Sequence, residues 1–267
     1  MNKEFIPAVS DLIDFREKNV IITGAGAGIG EAIAHRFAEH GAALYLLDVD
    51  EDALDRVKRN LSGLSHHVQV FRIDLTKKSE IELFWTKNKD IVFDVLINNA
   101  GGYPMKDYEE TDESFLKKLE DLNLHAAYWM SQQFIQQRCR ERSCIVNITS
   151  IEALLPFKED IIHYSASKAG VIALSRGLAK EFARKNLRVN VIISGAVMKP
   201  GTKSLMGEAQ KGKFKLIRSG IEYNLRMPMG RYARADEIAR MVLVLASDFA
   251  SYVTGAVIPV DGGFLSV

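Results

Sequence analysis

The chain has 267 residues, 47% of them hydrophobic and 26% charged, which suits one large globular domain or two small ones and carries no low-complexity tract. Thirty-five basic residues against thirty-four acidic ones give a formal charge of +1, so no global field attracts nucleic acid or an anionic membrane, and a small molecule is the expected ligand. The two cysteines, Cys139 and Cys144, make neither a disulfide framework nor a metal spacing, and no stretch reaches about 18 uninterrupted apolar residues; both thiols are expected to pack, no metal is expected, and the expected location is cytoplasmic.

Seven short β-rich runs follow in chain order: "NVIIT" at 19–23, "ALYLLD" at 43–48, "VQVFRI" at 68–73, "DVLIN" at 94–98, "CIVNIT" at 144–149, "RVNVII" at 188–193 and "AVIPV" at 256–260. Most are continuously apolar, as strands covered on both faces must be. The stretches between them read as helices. "GEAIAHRFAEHG" places Ile33, Ala34 and Phe37 on one side and stops at Gly41. "KAGVIALSRGLAKEFARKN" does the same with Val171, Leu174, Leu178 and Phe182, and "ADEIARMVLVLASD" with Ile238, Val242 and Leu245. Alternating strand and helix predicts an α/β fold: one doubly wound parallel sheet of about seven strands with helices on both faces, and no break favours two domains.

The first run passes straight into a helix as "VIITGAGAGIGEAIA". The common G-x-G-x-x-G pattern is not met, because its last position falls on Ile29 or Glu31. T-G-x-x-x-G-x-G is met, at Thr23, Gly24, Gly28 and Gly30. Such glycines let the backbone approach a pyrophosphate lying at a helix N-terminus. The second run ends at Asp48, about where an acid hydrogen-bonds an adenosine ribose. "DVDED" would repel a 2′-phosphate and has no adjacent arginine or lysine to accept one, so NAD is preferred over NADP, while Asp50, Glu51 and Asp52 suit the start of the next helix.

"IIHYSASKAG" at 161–170 sets a phenol and an ammonium, Tyr164 and Lys168, four residues apart on one helical face. The spacing fits a tuned acid/base pair and a pair of surface neighbours equally. Roughly residues 195–230 interrupt the strand–helix rhythm with Gly, Lys and Met, as a substrate lid would.

Taken in order, "TGAGAGIG" at 23–30, "DL" at 74–75, "NNAG" at 98–101, "NITS" at 147–150, "YSASK" at 164–168, "RVNVIISG" at 188–195 and "SYVTGAVIPVDGG" at 251–263 make the sequence resemble the short-chain dehydrogenase/reductase family over nearly its whole length. The resemblance implies a single Rossmann-fold domain spanning residues 1–267, an NAD-dependent oxidoreductase activity and a homotetramer. It implies that Gly24, Gly28, Ile29 and Gly30 hold the dinucleotide, that Asp48 meets its ribose, and that Asp74 and Leu75 meet its adenine. Asn98, Ala100 and Gly101 would shape the cofactor wall, and Val197 would offer backbone to the carboxamide. Ser150, Tyr164, Lys168 and Asn123 would be catalytic, with Thr149 the rival of Ser150. Asn123 matches an asparagine that holds a proton-relay water; the alternative is a helix asparagine bonding nearby backbone. The usual Pro-Gly after the sixth strand is Ser194-Gly195 here, and Lys199 stands where a threonine is common, leaving Thr202 and Lys199 as alternative substitutes.

A phenol near its ordinary pKa of about 10 is scarcely a base at neutral pH, so Lys168, with an oxidised nicotinamide, is expected to lower that of Tyr164 by about two or three units. Ser150 would hold the substrate oxygen, and Lys168 would also bind the nicotinamide ribose. Tyr103, Glu152 and His163 are the candidate substrate residues, and a basic lid from Lys199 to Arg218 suits an anionic substrate. An acid soon after the serine resembles relatives that oxidise sugars or polyols. A reductase of 3-oxoacyl thioesters or hydroxysteroids is the rival enzyme, and an NAD-sensing binding module the rival without chemistry.

Overall fold

The computed structural model describes residues 6–138, 140–198 and 226–267. Its strands are β1 (Asn19–Thr23), β2 (Ala43–Asp48), β3 (Val68–Arg72), β4 (Val95–Asn98), β5 (Ser143–Ser150), β6 (Leu187–Ser194) and β7 (Val257–Val260). They form one parallel sheet in the order β3-β2-β1-β4-β5-β6-β7. The expected runs and the observed strands agree to within a residue at each end.

The helices are α1 (Gly28–Glu39), α2 (Glu51–Asn60), α3 (Lys78–Lys87), α4 (Glu113–Glu120), α5 (Ala126–Gln137), α6 (Ile162–Phe182) and α7 (Ala235–Ala246). Because strand side chains alternate between faces, Val20 and Ile22 of β1 join Phe37, Leu54 and Val242 under α1, α2 and α7, whereas Ile21 joins Trp85, Met130 and Phe134 under α3 and α5. Both faces are apolar because both are covered. Gly41, with φ of +84°, follows the end of α1 as expected, since its left-handed turn donates the Gly41 N–H back to the Ala38 carbonyl at 3.0 Å.

Helix α6 keeps only part of its expected face. Val171 is buried, but Leu174, Leu178 and Phe182 are only half-buried, while Ser165, Ser167, Lys168, Ile172, Ser175 and Ala179 are buried. Small residues let α6 lie close on β5 and β6, and that close approach sinks the lysine between them.

The chain leaves β3 at one edge of the sheet and returns on the far side of β1, as β4. Ligands in doubly wound sheets bind where the order reverses in this way, at the carboxyl ends of the two central strands. Thr23 and Asn98 mark that point, and Ser150 pairs with Ser194 at the adjoining ends of β5 and β6.

Candidate active site

At the end of β1 the chain turns through Gly24 and Gly28, at φ of +63° and +59°, into α1. A Cβ on Gly30 would stand 2.0 Å from the Gly24 carbonyl oxygen, so the turn closes only around a glycine. A Cβ on Gly28 would meet nothing within 4 Å, and no side chain caps α1 at Ala27. An uncapped helix N-terminus facing open space behind a glycine cradle fits the pyrophosphate of a dinucleotide. Ile29, in the first turn, packs against the core.

Asp48 at the end of β2 braces this cradle. Its Oδ2 accepts the Gly26 N–H at 2.8 Å and its Oδ1 accepts the Asp50 N–H at 3.1 Å. Asp50 caps α2 by accepting the Ala53 N–H at 3.0 Å, the role expected of it. No basic residue is adjacent to Asp48 in sequence, yet Arg56, one and a half turns into α2, donates to the Gly26 carbonyl at 2.8 Å.

Asn99 ties the fourth strand to the loop. Its Nδ2 donates to the Thr23 and Gly24 carbonyls, both at 3.0 Å, while Thr23 Oγ1 accepts the Asn99 and Ala100 N–H groups, both at 3.0 Å. It stands within the quoted "NNAG", yet the resemblance gave roles only to its neighbours. Asn98 lines the cleft and also bonds inward, donating to Asn147 Oδ1 at 2.8 Å and Ser131 Oγ at 3.2 Å, while Asn147 donates to Ser175 Oγ at 2.7 Å. Asp74 accepts the Thr76 hydroxyl at 2.7 Å, a bond that with the nearby Lys77 holds its carboxyl below the usual range. Leu75, Ala100, Thr23, Asn123 and Lys168 line one narrow cleft.

The side chains expected to do chemistry converge beside that cleft. Tyr164 lies in the first turn of α6, Lys168 one turn on, and Ser150 at the tip of β5, its hydroxyl near enough to the Tyr164 phenol to draw that group's pKa down. Thr149 is no rival: its hydroxyl is buried and donates to the Ile192 carbonyl at 3.2 Å. Among the protein's own groups, burial and the Glu152 carboxylate push the Tyr164 pKa up to about 12, and Ser150 only partly offsets them. Lys168 Nζ sits 6.0 Å from the phenol ring centre and donates to the Ile148 carbonyl at 3.2 Å. Burial pulls its own pKa down to about 8, so its charge is itself weakly held.

Asn123 lies in a π-helical turn, Asp121–His125, between α4 and α5. Its amide clasps one residue, accepting the Gly102 N–H at 2.8 Å and donating to the Gly102 carbonyl at 2.9 Å. The backbone it bonds is distant in sequence. A Cβ on Gly101 would come within 3.0 Å of Asn123 Oδ1 and 3.1 Å of Lys168 Nζ, so a glycine is what lets the loop pass between them.

The three substrate candidates take different places. Tyr103 stands edge-on to Tyr164, ring centres 4.7 Å apart, at the cleft mouth. Its own pKa is pushed up by burial, then by Glu152 and Tyr164. Glu152 is 4% exposed and accepts the Phe157 N–H at 2.8 Å, so it staples the loop after β5, and burial raises its carboxyl pKa. His163 is buried beneath the Tyr103 loop, with Nε2 3.3 Å from the Pro104 carbonyl and its ring 4.8 Å from that of Phe115; it supports the mouth instead of lining it.

Val197 forms a bridge with Ala233, which bonds the residues on either side of it, Ala196 and Met198, so its own backbone groups point the other way. Lys199, Thr202, the basic lid to Arg218 and Cys139 lie outside the described residues. Cys144 is buried and packs, as expected. Among the described residues no His, Cys, Asp and Glu cluster could hold a metal, and no helix is long and apolar enough to cross a membrane.

The buried lysine makes stability depend on pH. Between pH 8 and 10.5 the unfolded chain carries a proton at Lys168 that the folded chain has released, so stability attributable to this site rises with pH, by up to about 1.4 kcal/mol per unit. Thermal denaturation of wild type and Lys168→Met across that window should show wild type gaining on the variant as pH rises. Parallel curves would disprove the assignment.

A family model described as enoyl-(acyl carrier protein) reductase matches residues 24–265. The chain is 32% identical over 251 residues to a 3-oxoacyl-[acyl-carrier-protein] reductase of Thermotoga maritima, covering 93% of this chain and 98% of that one. It is also 32% identical over 252 residues to an NAD-dependent glycerol dehydrogenase of Listeria innocua, covering 93% and 94%. A crystal structure described as a putative NAD(P)-dependent gluconate 5-dehydrogenase from Beutenbergia cavernae, with bound NADP, superposes with a TM-score of 0.86 at 29% identity, covering 96% of this chain and all of that one.

Proposed function

Because the chain belongs to the short-chain dehydrogenase/reductase family, oxidoreductases that act on CH–OH groups with a nicotinamide cofactor, we propose that it passes a hydride between NAD(H) and a secondary alcohol or its ketone, with a sugar or polyol as the substrate class. The observation that carries this reading is the convergence of Ser150, Tyr164 and Lys168 beside the glycine cradle. Asp48 supports NAD, since its carboxylate sits where a 2′-phosphate would meet like charge.

When bound, the dinucleotide supplies the hydride acceptor or donor. Ser150 holds the substrate oxygen through its hydroxyl, close to the phenol whose pKa it draws down. Tyr164 Oη takes the alcohol proton in oxidation and returns it to the ketone oxygen in reduction. Lys168, held at the Ile148 carbonyl, lends its charge to the phenolate. Tyr103 walls the mouth and keeps water from the phenol.

The name of the Thermotoga relative supports a second reading, reduction of a 3-oxoacyl thioester. Absorbance of reduced nicotinamide on a panel of polyols, sugar acids and acyl thioesters, with NAD and NADP in turn, separates the two. Turnover of thioesters alone would overturn the first.

In either case oxidation should quicken as pH rises and the phenol ionises, while reduction slows. Glu152→Gln keeps an oxygen for the Phe157 N–H but removes the negative charge that raises the phenol. Its oxidation profile should therefore shift to lower pH by roughly half a unit to one unit. An unmoved profile would show that Glu152 does not act on Tyr164.

A further inference from the structure

Asp48 is not the only charge at the adenosine end of the cleft. Arg56 reaches across from α2, its Nη2 donating to the Gly26 carbonyl at 2.8 Å. The same guanidinium is taken up by Glu31 of α1, with Nη1 to Oε1 at 2.6 Å and Nη2 to Oε2 at 2.9 Å. Gly26 is thus gripped at its N–H by a carboxylate and at its carbonyl by a guanidinium. Since each bond is 2.8 Å, Arg56 Nη2 and Asp48 Oδ2 lie within roughly 9 Å of one another.

A guanidinium fork is the group that binds phosphate in two parallel hydrogen bonds. Here Glu31 occupies the fork, and the arginine side chain remains about half exposed, so it has room to turn. We propose that the Glu31–Arg56 pair is a second determinant of dinucleotide choice: Glu31 keeps Arg56 on the glycine loop and so denies its fork to a ribose 2′-phosphate. Asp48 repels that phosphate, and Glu31 withholds the cation that would compensate. The inference rests on the reading of NAD as the cofactor.

Calorimetric titration with NAD+, NADP+, 5′-AMP and 2′,5′-ADP reads binding without turnover. In wild type the 2′-phosphorylated ligands should bind more weakly than their partners. In Glu31→Ala their disadvantage should shrink at least tenfold, and in Glu31→Ala/Arg56→Ala it should return to the wild-type ratio. Glu31→Gln, which keeps the contact and loses the charge, should move the ratio the same way by about threefold, with the melting temperature recorded to confirm folding. A wild type that prefers NAD+ while both Glu31 variants keep its ratio overturns this proposal alone. A wild type that binds NADP+ as tightly as NAD+ overturns the NAD reading and the proposal with it.

Discussion

Tyr164→Phe is expected to lower kcat/KM about 10³-fold or more while leaving dinucleotide affinity within a few-fold of wild type. The ring that stands 4.7 Å from Tyr103 is kept, so the mouth retains its packing; only the phenol oxygen is lost. Losing one side-chain hydrogen bond costs about 1 kcal/mol of stability, far too little to unfold the chain. Bound dinucleotide with no turnover would therefore locate the defect in proton transfer. A variant with more than a tenth of wild-type activity would mean that another group carries the proton.

The second large effect is expected at Gly30. An alanine methyl there would lie 2.0 Å from the Gly24 carbonyl oxygen and 2.8 Å from Asn99 Nδ2. Both are anchored, since Asn99 donates to that carbonyl, so relief requires the whole turn to move. Gly30→Ala should cost about 3 kcal/mol, at the upper end for overpacking, and weaken NAD+ binding by at least tenfold. Two neighbours calibrate the result. Gly28→Ala meets no atom and suffers only its positive φ, a cost of about 1–2 kcal/mol. Gly177→Ala, in the open middle of α6, should be neutral or gain up to about 1 kcal/mol. Near-wild-type affinity in Gly30→Ala would show that the loop is softer than its bonding implies.

Much of this was legible in the chain itself. Strands such as "NVIIT" and "CIVNIT" announce themselves because a strand covered on both faces must be apolar at nearly every position. The glycine loop and the Tyr164–Lys168 spacing were equally plain, since backbone closeness and one helical turn are local properties. What escaped was set by residues remote in sequence. Nothing local to Arg56 says that it will reach Gly26, thirty residues away, and Asn123 clasps a residue twenty-one positions earlier. The burial and the charge that raise the phenol were not legible for a related reason. They depend on how deeply α6 sinks onto the sheet and on where the Glu152 carboxylate folds, neither of which the spacing of Tyr164 and Lys168 contains.

Parallel strands as uniformly greasy as β4 and β5 gain nearly as much from pairing two residues out of step as from pairing correctly, because Val, Leu and Ile are poor at telling one another apart. The amides of Asn98 and Asn147, paired across those strands and answered by Ser131 and Ser175, remove that tolerance. A slipped arrangement would bury at least one amide against hydrocarbon, at a cost of about 1–3 kcal/mol for each group left unmet. The sheet's centre thus carries its own alignment mark, and with it the assurance that Thr23 and Ser150 emerge at the same rim.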